Sequence, residues 1–150
     1  MHLSSPSLQN GVVPREFTCD GADRSPQLSW TTPPAGTMSL ALTVIDPDAP
    51  AGTWVHWLVY NLPPAARELP AGIAGSLHLP DGSLQGRNDF GRVGYGGPCP
   101  PRGSTHRYFF HLLALDTRLD LPPGVTVNQF EAAMQKHILA HAELMARYGH

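Results

Sequence analysis

The chain has 150 residues, 41% of them hydrophobic, which is enough for a buried core and too apolar for a disordered segment. Its net charge of −2, from 10 Lys and Arg against 12 Asp and Glu with no basic block, argues against a nucleic-acid partner. With 15 Gly and 16 Pro, the composition favours a loop-rich, mostly β single domain over a helical bundle.

The first residues, MHLSSPSLQNGVV, lack the basic and apolar regions of a signal peptide. No apolar run approaches the ~18 residues of a transmembrane helix, so the expected location is cytoplasmic. Residues 1–38 are broken by Pro and Gly around a short apolar stretch, Leu28 to Trp30. Ser39 to Ile45 (SLALTVI) reads as a strand buried on both faces, stopped by the prolines of Asp46-Pro47-Asp48-Ala49-Pro50. Trp54 to Leu62 (WVHWLVYNL) is a second buried strand, closed by Pro63 and Pro64, and Ile73 to Leu79 (IAGSLHL) a weaker third. A long Gly- and Pro-rich loop from Asn88 then feeds a fourth strand, Arg107 to Leu115 (RYFFHLLAL). Thr126 and Gln129 fit a capping box, and Phe130, Met134, His137, Ile138 and His141 recur at helical spacing. This predicts an amphipathic helix over residues 127–141, and periodicity alone extends it to Tyr148.

Chemically useful groups collect at the strand ends. Alternation places Trp54, His56 and Leu58 on one strand face, with Val55, Trp57 and Val59 on the other. A histidine in so apolar a strand needs partners for its ring nitrogens, and DPDAP supplies two candidate carboxylates. Taken alone, His56 reads as a satisfied core histidine and DPDAP as a rigid turn. Together with His106 and Tyr108, which open the fourth strand, the residue types suit three chemistries. They can bind an anion, hold a metal through two Asp and two His, or act as general acid–base groups. Cys19 and Cys99 permit one internal disulfide, but a reducing cytosol favours two free thiols. A nucleophilic Cys99 has no adjacent base in Gly97-Pro98-Cys99-Pro100. His137 and His141 lie i, i+4 without the Glu of a zincin motif, and no nucleophile elbow, P-loop or dinucleotide fingerprint occurs.

Four stretches in order carry a resemblance: SPQLSW (Ser25 to Trp30), DPDAP (Asp46 to Pro50), WVHWLVYNLP (Trp54 to Pro63) and GPCPPRGSTHRYFF (Gly97 to Phe110). Together they resemble the phosphatidylethanolamine-binding protein (PEBP) family, also called Raf kinase inhibitor-like, in its bacterial and archaeal YbhB/YbcL-like branch. The resemblance spans about Leu3 to Tyr148. It implies two packed antiparallel β-sheets with peripheral helices, one of them near the C-terminus. It also implies a closing strand around Leu144 to Tyr148 in place of the longer helix. The implied pocket binds phosphate-like or small carboxylate anions and phospholipid head groups. Its residues match here as Asp46, Pro50, Trp54, His56, Cys99, Pro101, His106 and Tyr108, with Asp48 structural.

On this reading Asp46 orients His56, His56 and His106 donate to the anion, and the Gly-Pro loop forms one wall. The chain ends at His150 without the further helix of the mammalian branch, so a more open pocket is expected. Ala146 stands where bacterial relatives usually have Gly. The expected function is a non-enzymatic binding module without cofactor or metal, regulating a protein partner and forming a homodimer. The alternatives are an acid–base hydrolase using His56 or His106, and a structural homodimer with a vestigial pocket.

Overall fold

The computed structural model describes residues 1–150. Three short strands, β1 (Leu3–Ser4), β2 (Leu28–Trp30) and β5 (Glu68–Leu69), pair antiparallel in the order β1-β2-β5. Five others form an antiparallel sheet in the order β6-β4-β3-β7-β8. These are β3 (Ser39–Asp46), β4 (Trp54–Leu62), β6 (Leu84–Gln85), β7 (Thr105–Leu115) and β8 (Ile138–Gly149). One helix, α1 (Val127–Met134), lies near the C-terminus, and 3-10 turns occur at Pro6–Leu8 and Arg15–Phe17. No helix is long and apolar enough to cross a membrane.

One face of the five-stranded sheet is covered by the small sheet, and the other is covered over β3 and β4 but left partly exposed along β7 and β8. Leu40, Leu42 and Val44 of β3, with Phe110 and Leu112 of β7, pack against Leu3, Leu28, Trp30 and Leu69 of the small sheet. On the opposite face Ala41, Leu58 and Tyr60 pack against Leu119, Val125 and Phe130 beneath α1. This double cover explains why β3 reads as a continuous apolar run instead of an alternating one.

Alternation fails in β4 for a definite reason. Ile45 pairs with Val55 and Val44 with Trp57, so His56 is an extra residue in a bulge. Beyond it the faces exchange: Trp57 and Val59 join the core under the small sheet, and Leu58 joins the core under α1. A second irregularity between Leu42↔Val59 and Leu40↔Leu62 restores the parity, and Leu62 returns to the larger core. Asn61 lies in it, with φ +56°. Its amide donates to the Leu119 carbonyl at 2.9 Å, and its oxygen accepts from the Leu119 N–H at 2.8 Å.

Two expected elements differ. Ile73 to Leu79 is not a strand and makes only an isolated bridge, His78↔Leu84. The Gln85 side chain donates to the Ala74 and Ser76 carbonyls, so an amide takes the place of a ladder. The helix ends at Met134, short of the predicted residue 141. His137 turns the chain back, its ring donating to Asp116 at 2.7 Å while the Asp116 N–H donates to the His137 carbonyl. From there β8 pairs with β7 through to Thr105↔Gly149. The ladder needed by the long edge of β7 outweighs the helical spacing of His137, Ile138 and His141. The closing strand implied by the resemblance is present and longer than expected. The capping box holds: Thr126 Oγ1 accepts from the Gln129 N–H, and Gln129 Oε1 accepts from the Thr126 N–H. Residues 11–13 cover part of the outer edge of β8, Val13 N–H donating to Arg147 and Arg147 N–H to Gly11.

Asn61 combines a left-handed backbone with two buried hydrogen bonds. Asn61→Ala should cost about 2–4 kcal/mol in urea unfolding, and Asn61→Gly about 1 kcal/mol less, because only the backbone term is relieved. Equal losses for the two variants would remove backbone conformation from the account.

Candidate functional site

The strand ends converge on one cavity of about 340 Å³. Asp46 ends β3, Trp54 and His56 begin β4, and His106 and Tyr108 begin β7. Ala49, Pro50 and Ala51 of the β3–β4 turn form one lip, and Cys99, Pro100 and Pro101 form the facing wall. All eight residues expected from the sequence line this cavity, and the structure adds Ala49, Ala51, Phe90 and Pro100. Phe90 carries the clearest overlooked signal, an aromatic ring within the Gly-rich loop. It stands edge-on to both Trp54 and His56, with centroids 5.4 Å apart in each pair.

The carboxylate partnership differs from expectation. Asp46 Oδ2 accepts from His106 Nδ1 at 2.7 Å, and Oδ1 accepts from the Asp48 N–H at 2.8 Å. Both side chains of the Asp46–His106 pair are buried. His56 is not oriented by Asp46. Its Nδ1–H donates to the Gly96 carbonyl at 2.6 Å, while the Gly96 N–H donates to the His56 carbonyl. The physical reason is pairing geometry: β3 lies against β7, placing Asp46 beside the start of β7, while the loop at Gly96 crosses the His56 bulge. A carbonyl can only accept, so His56 carries its proton on Nδ1 and leaves Nε2 free of that bond. Burial holds the His56 pKa below its ordinary value; the bonds to Gly96 and Gly97 and the charges of Asp46 and Asp23 oppose this without overturning it.

Asp48 plays the structural part expected of it. Its carboxylate accepts from Arg107 Nε, Nη2 and backbone N–H at 2.8–2.9 Å. Chiefly through the Arg107 side-chain bonds, its pKa falls to about 2. Asp46, Asp48, His56 and His106 therefore form no ligand set: Asp48 is committed to Arg107, and no group of three or more His, Cys, Asp or Glu is placed to hold a metal.

Two polar atoms on cavity-lining side chains are buried without a hydrogen-bond partner, Trp54 Nε1 and Tyr108 Oη. Burial, followed by the charges of Asp46 and Asp48, raises the Tyr108 pKa, so the phenol stays protonated and able to donate. The Tyr108 ring stands edge-on to His56, with centroids 5.2 Å apart, and lies stacked 6.5 Å from His106.

The Gly-Pro wall is held from outside. Gly97 N–H donates to Asp23 Oδ1 at 2.8 Å, and a Cβ on Gly97 would sit 2.3 Å from the Phe17 carbonyl oxygen. That approach explains glycine there. The Cys19 N–H donates to the Pro98 carbonyl, and His150 Nε2 to the Pro100 carbonyl. Cys19 and Cys99 form a disulfide, Cα–Cα 5.4 Å, contrary to the two free thiols expected. The expectation rested on an assumed reducing compartment, whereas the Cys19–Pro98 hydrogen bond brings the two segments within bridging distance. The bond also removes Cys99 as a thiol nucleophile.

Native protein should therefore present no titratable thiol and have an intact mass two hydrogens below the reduced chain. Opening the 80-residue separation should cost up to about 4 kcal/mol of stability in the Cys19→Ser/Cys99→Ser variant. The histidine gives a second expectation. Burial holds the folded His56 pKa below that of the unfolded chain, so between the two the unfolded chain binds more protons and stability is lost as pH is lowered. Unfolding followed downward from pH 6.5 should show this loss in wild type and a smaller one in His56→Gln; equal slopes would contradict the assignment.

Comparison with known proteins agrees with this architecture. A UPF0098 protein of Methanothermobacter thermautotrophicus is 49% identical over 138 residues, covering 92% of this chain and 91% of that protein. The UPF0098 protein YbhB of Escherichia coli is 46% identical over 132 residues, covering 86% and 84%. The crystal structure of CT736 from Chlamydia trachomatis, described as a PEBP homolog, matches with TM-score 0.89 and 40% identity over 99% of this chain and 97% of that one. That of E. coli YbcL, described as a member of the mammalian PEBP family, matches with TM-score 0.91 and 35% identity over 99% and 98%. The profile described as phosphatidylethanolamine-binding protein matches residues 4–149, and with these folds and motifs the chain belongs to the phosphatidylethanolamine-binding protein family.

Proposed function

We propose that this chain is a binding module for small oxyanions, of the phosphate-ester or carboxylate type, held in the cavity between the DPDAP turn and the Gly-Pro wall. The observation that carries the reading is the pair of buried donors without partners, Trp54 Nε1 and Tyr108 Oη, on a wall that also holds two histidines. A buried donor left unsatisfied costs about 1–3 kcal/mol, and an acceptor oxygen in the cavity would recover that cost. A protonated His56 Nε2 would add a charge-assisted bond, and Pro and Ala at the lip would accept the apolar part of an ester. Recognition of a phospholipid head group and regulation of a protein partner or second copy belong to this proposal.

The Asp46–His106 pair favours a second reading, because a carboxylate holding an imidazole is also the base and orienter of an acid–base catalyst. Release of alcohol from a panel of phosphate and carboxylate esters, abolished in His106→Gln, would support it.

Inorganic phosphate titrated into isotopically labelled protein should shift the ring signals of His56 and His106 saturably. Trp54→Phe and Tyr108→Phe should each weaken binding about tenfold, the loss of one hydrogen bond to a charged acceptor, with little change in unfolding midpoint. Ring signals that ignore phosphate and acetate in the folded protein would refute the binding proposal.

A further inference from the structure

We propose, building on the oxyanion reading above, that the cavity selects singly charged oxyanions and discriminates against dianions, taking up one proton with the ligand. The argument begins with the charges that line it. No Lys or Arg is among the lining residues. Of the guanidiniums next to lining residues, Arg107 is bonded to Asp48, Arg92 lies over the Phe90 ring at 5.6 Å, and Arg102, beside Pro101, is exposed to solvent. Within the cavity itself the positive charge that can meet an anion therefore comes from histidine.

The two histidines are not equivalent. His106 is bonded to the Asp46 carboxylate at 2.7 Å, so an imidazolium there is already offset by its buried partner. His56 has no carboxylate on its ring. Its Nδ1–H is committed to the Gly96 carbonyl, so any proton it gains goes to Nε2. The groups around it are Asp46 from β3, His106 and Tyr108 from β7, and Asp23 beyond the Gly-Pro wall. Tyr108 and Trp54 add neutral donors and no charge. The uncompensated positive charge the site can raise is thus one, on His56.

A monoanion meets that charge in full. A dianion leaves a second negative charge close to the buried Asp46 carboxylate, where like charges repel. Burial disfavours the charged form of His56 in the free site, so above its pKa a monoanion recruits a proton from solvent to Nε2, and binding strengthens as pH falls. A phosphodiester remains singly charged throughout, whereas a phosphomonoester becomes a dianion above a second pKa of about 6. Esters of these two kinds separate the ligand's charge from the protein's.

Calorimetry with dimethyl phosphate and methyl phosphate, at about pH 5.5 and about pH 8 in buffers of different ionisation heat, tests this. Dimethyl phosphate should bind at least tenfold more tightly at the lower pH, with proton uptake rising toward one as the starting pH exceeds the His56 pKa. His56→Gln should abolish that uptake. At the higher pH, methyl phosphate should bind at least tenfold more weakly than dimethyl phosphate. Co-sedimentation with vesicles bearing diester head groups separates the sources: retention alongside dimethyl phosphate binding assigns a lipid, and its absence a free small diester, with the charge rule supported in both cases. Equal or tighter binding of methyl phosphate at the higher pH, or pH-independent binding of the diester, overturns the inference and leaves the oxyanion reading standing. Failure of both esters and inorganic phosphate to bind folded wild-type protein at either pH refutes the oxyanion reading itself.

Discussion

A buried carboxylate at the end of an almost wholly buried strand organises this molecule. β3 runs through the middle of the five-stranded sheet and finishes on Asp46, which is 3% exposed. Such a group is tolerated only when its oxygens are met by donors. His106, at the start of β7, supplies one donor, and the backbone of Asp48, in Asp46's own turn, supplies another. Asp48 in turn grips Arg107, so adjacent residues of β7 are held by two aspartates of a single turn. The cavity lip at Ala49–Ala51 and the position of Tyr108 follow from this double attachment.

The opposite wall obeys a different constraint. Residues 96–101 are mostly Gly and Pro and form no helix or strand, so their position comes from their neighbours. Gly96 exchanges two hydrogen bonds with His56, Gly97 meets Asp23, Pro98 meets Cys19, and Pro100 meets His150. His56 and three groups outside the cavity therefore hold the shape of this wall, which is ordered by the protein's own contacts.

The apolar runs of β3 and β4 were legible because both their faces are covered, and that of β7 because one face is buried while the other still carries Phe109 and Leu113. The eight cavity residues were legible through motif resemblance, and the structure assembles them on one wall or another of the same space. What escaped were relations set by pairing. Nothing local to WVHWLVY marks His56 as a bulge, since that depends on which residue of β3 lies opposite. The partner of Asp46 followed from the adjacency of β3 and β7, and the strand at Ile138 from an edge of β7 that local helical spacing cannot register. Cys19–Cys99 was hidden for another reason: the compartment argument concerns where disulfides persist, while the bond itself depends on two loops meeting.

That bond changes what a cut in the backbone would mean. The exposed stretch 74–78 forms no strand, is tied down only through Gln85 and one isolated bridge, and lies between Cys19 and Cys99 in sequence. Exposed segments of this kind are where proteases act first. A molecule nicked there would keep its two pieces joined covalently beside the cavity, migrate as one species until reduced, and carry its wall on one fragment and its DPDAP lip on the other.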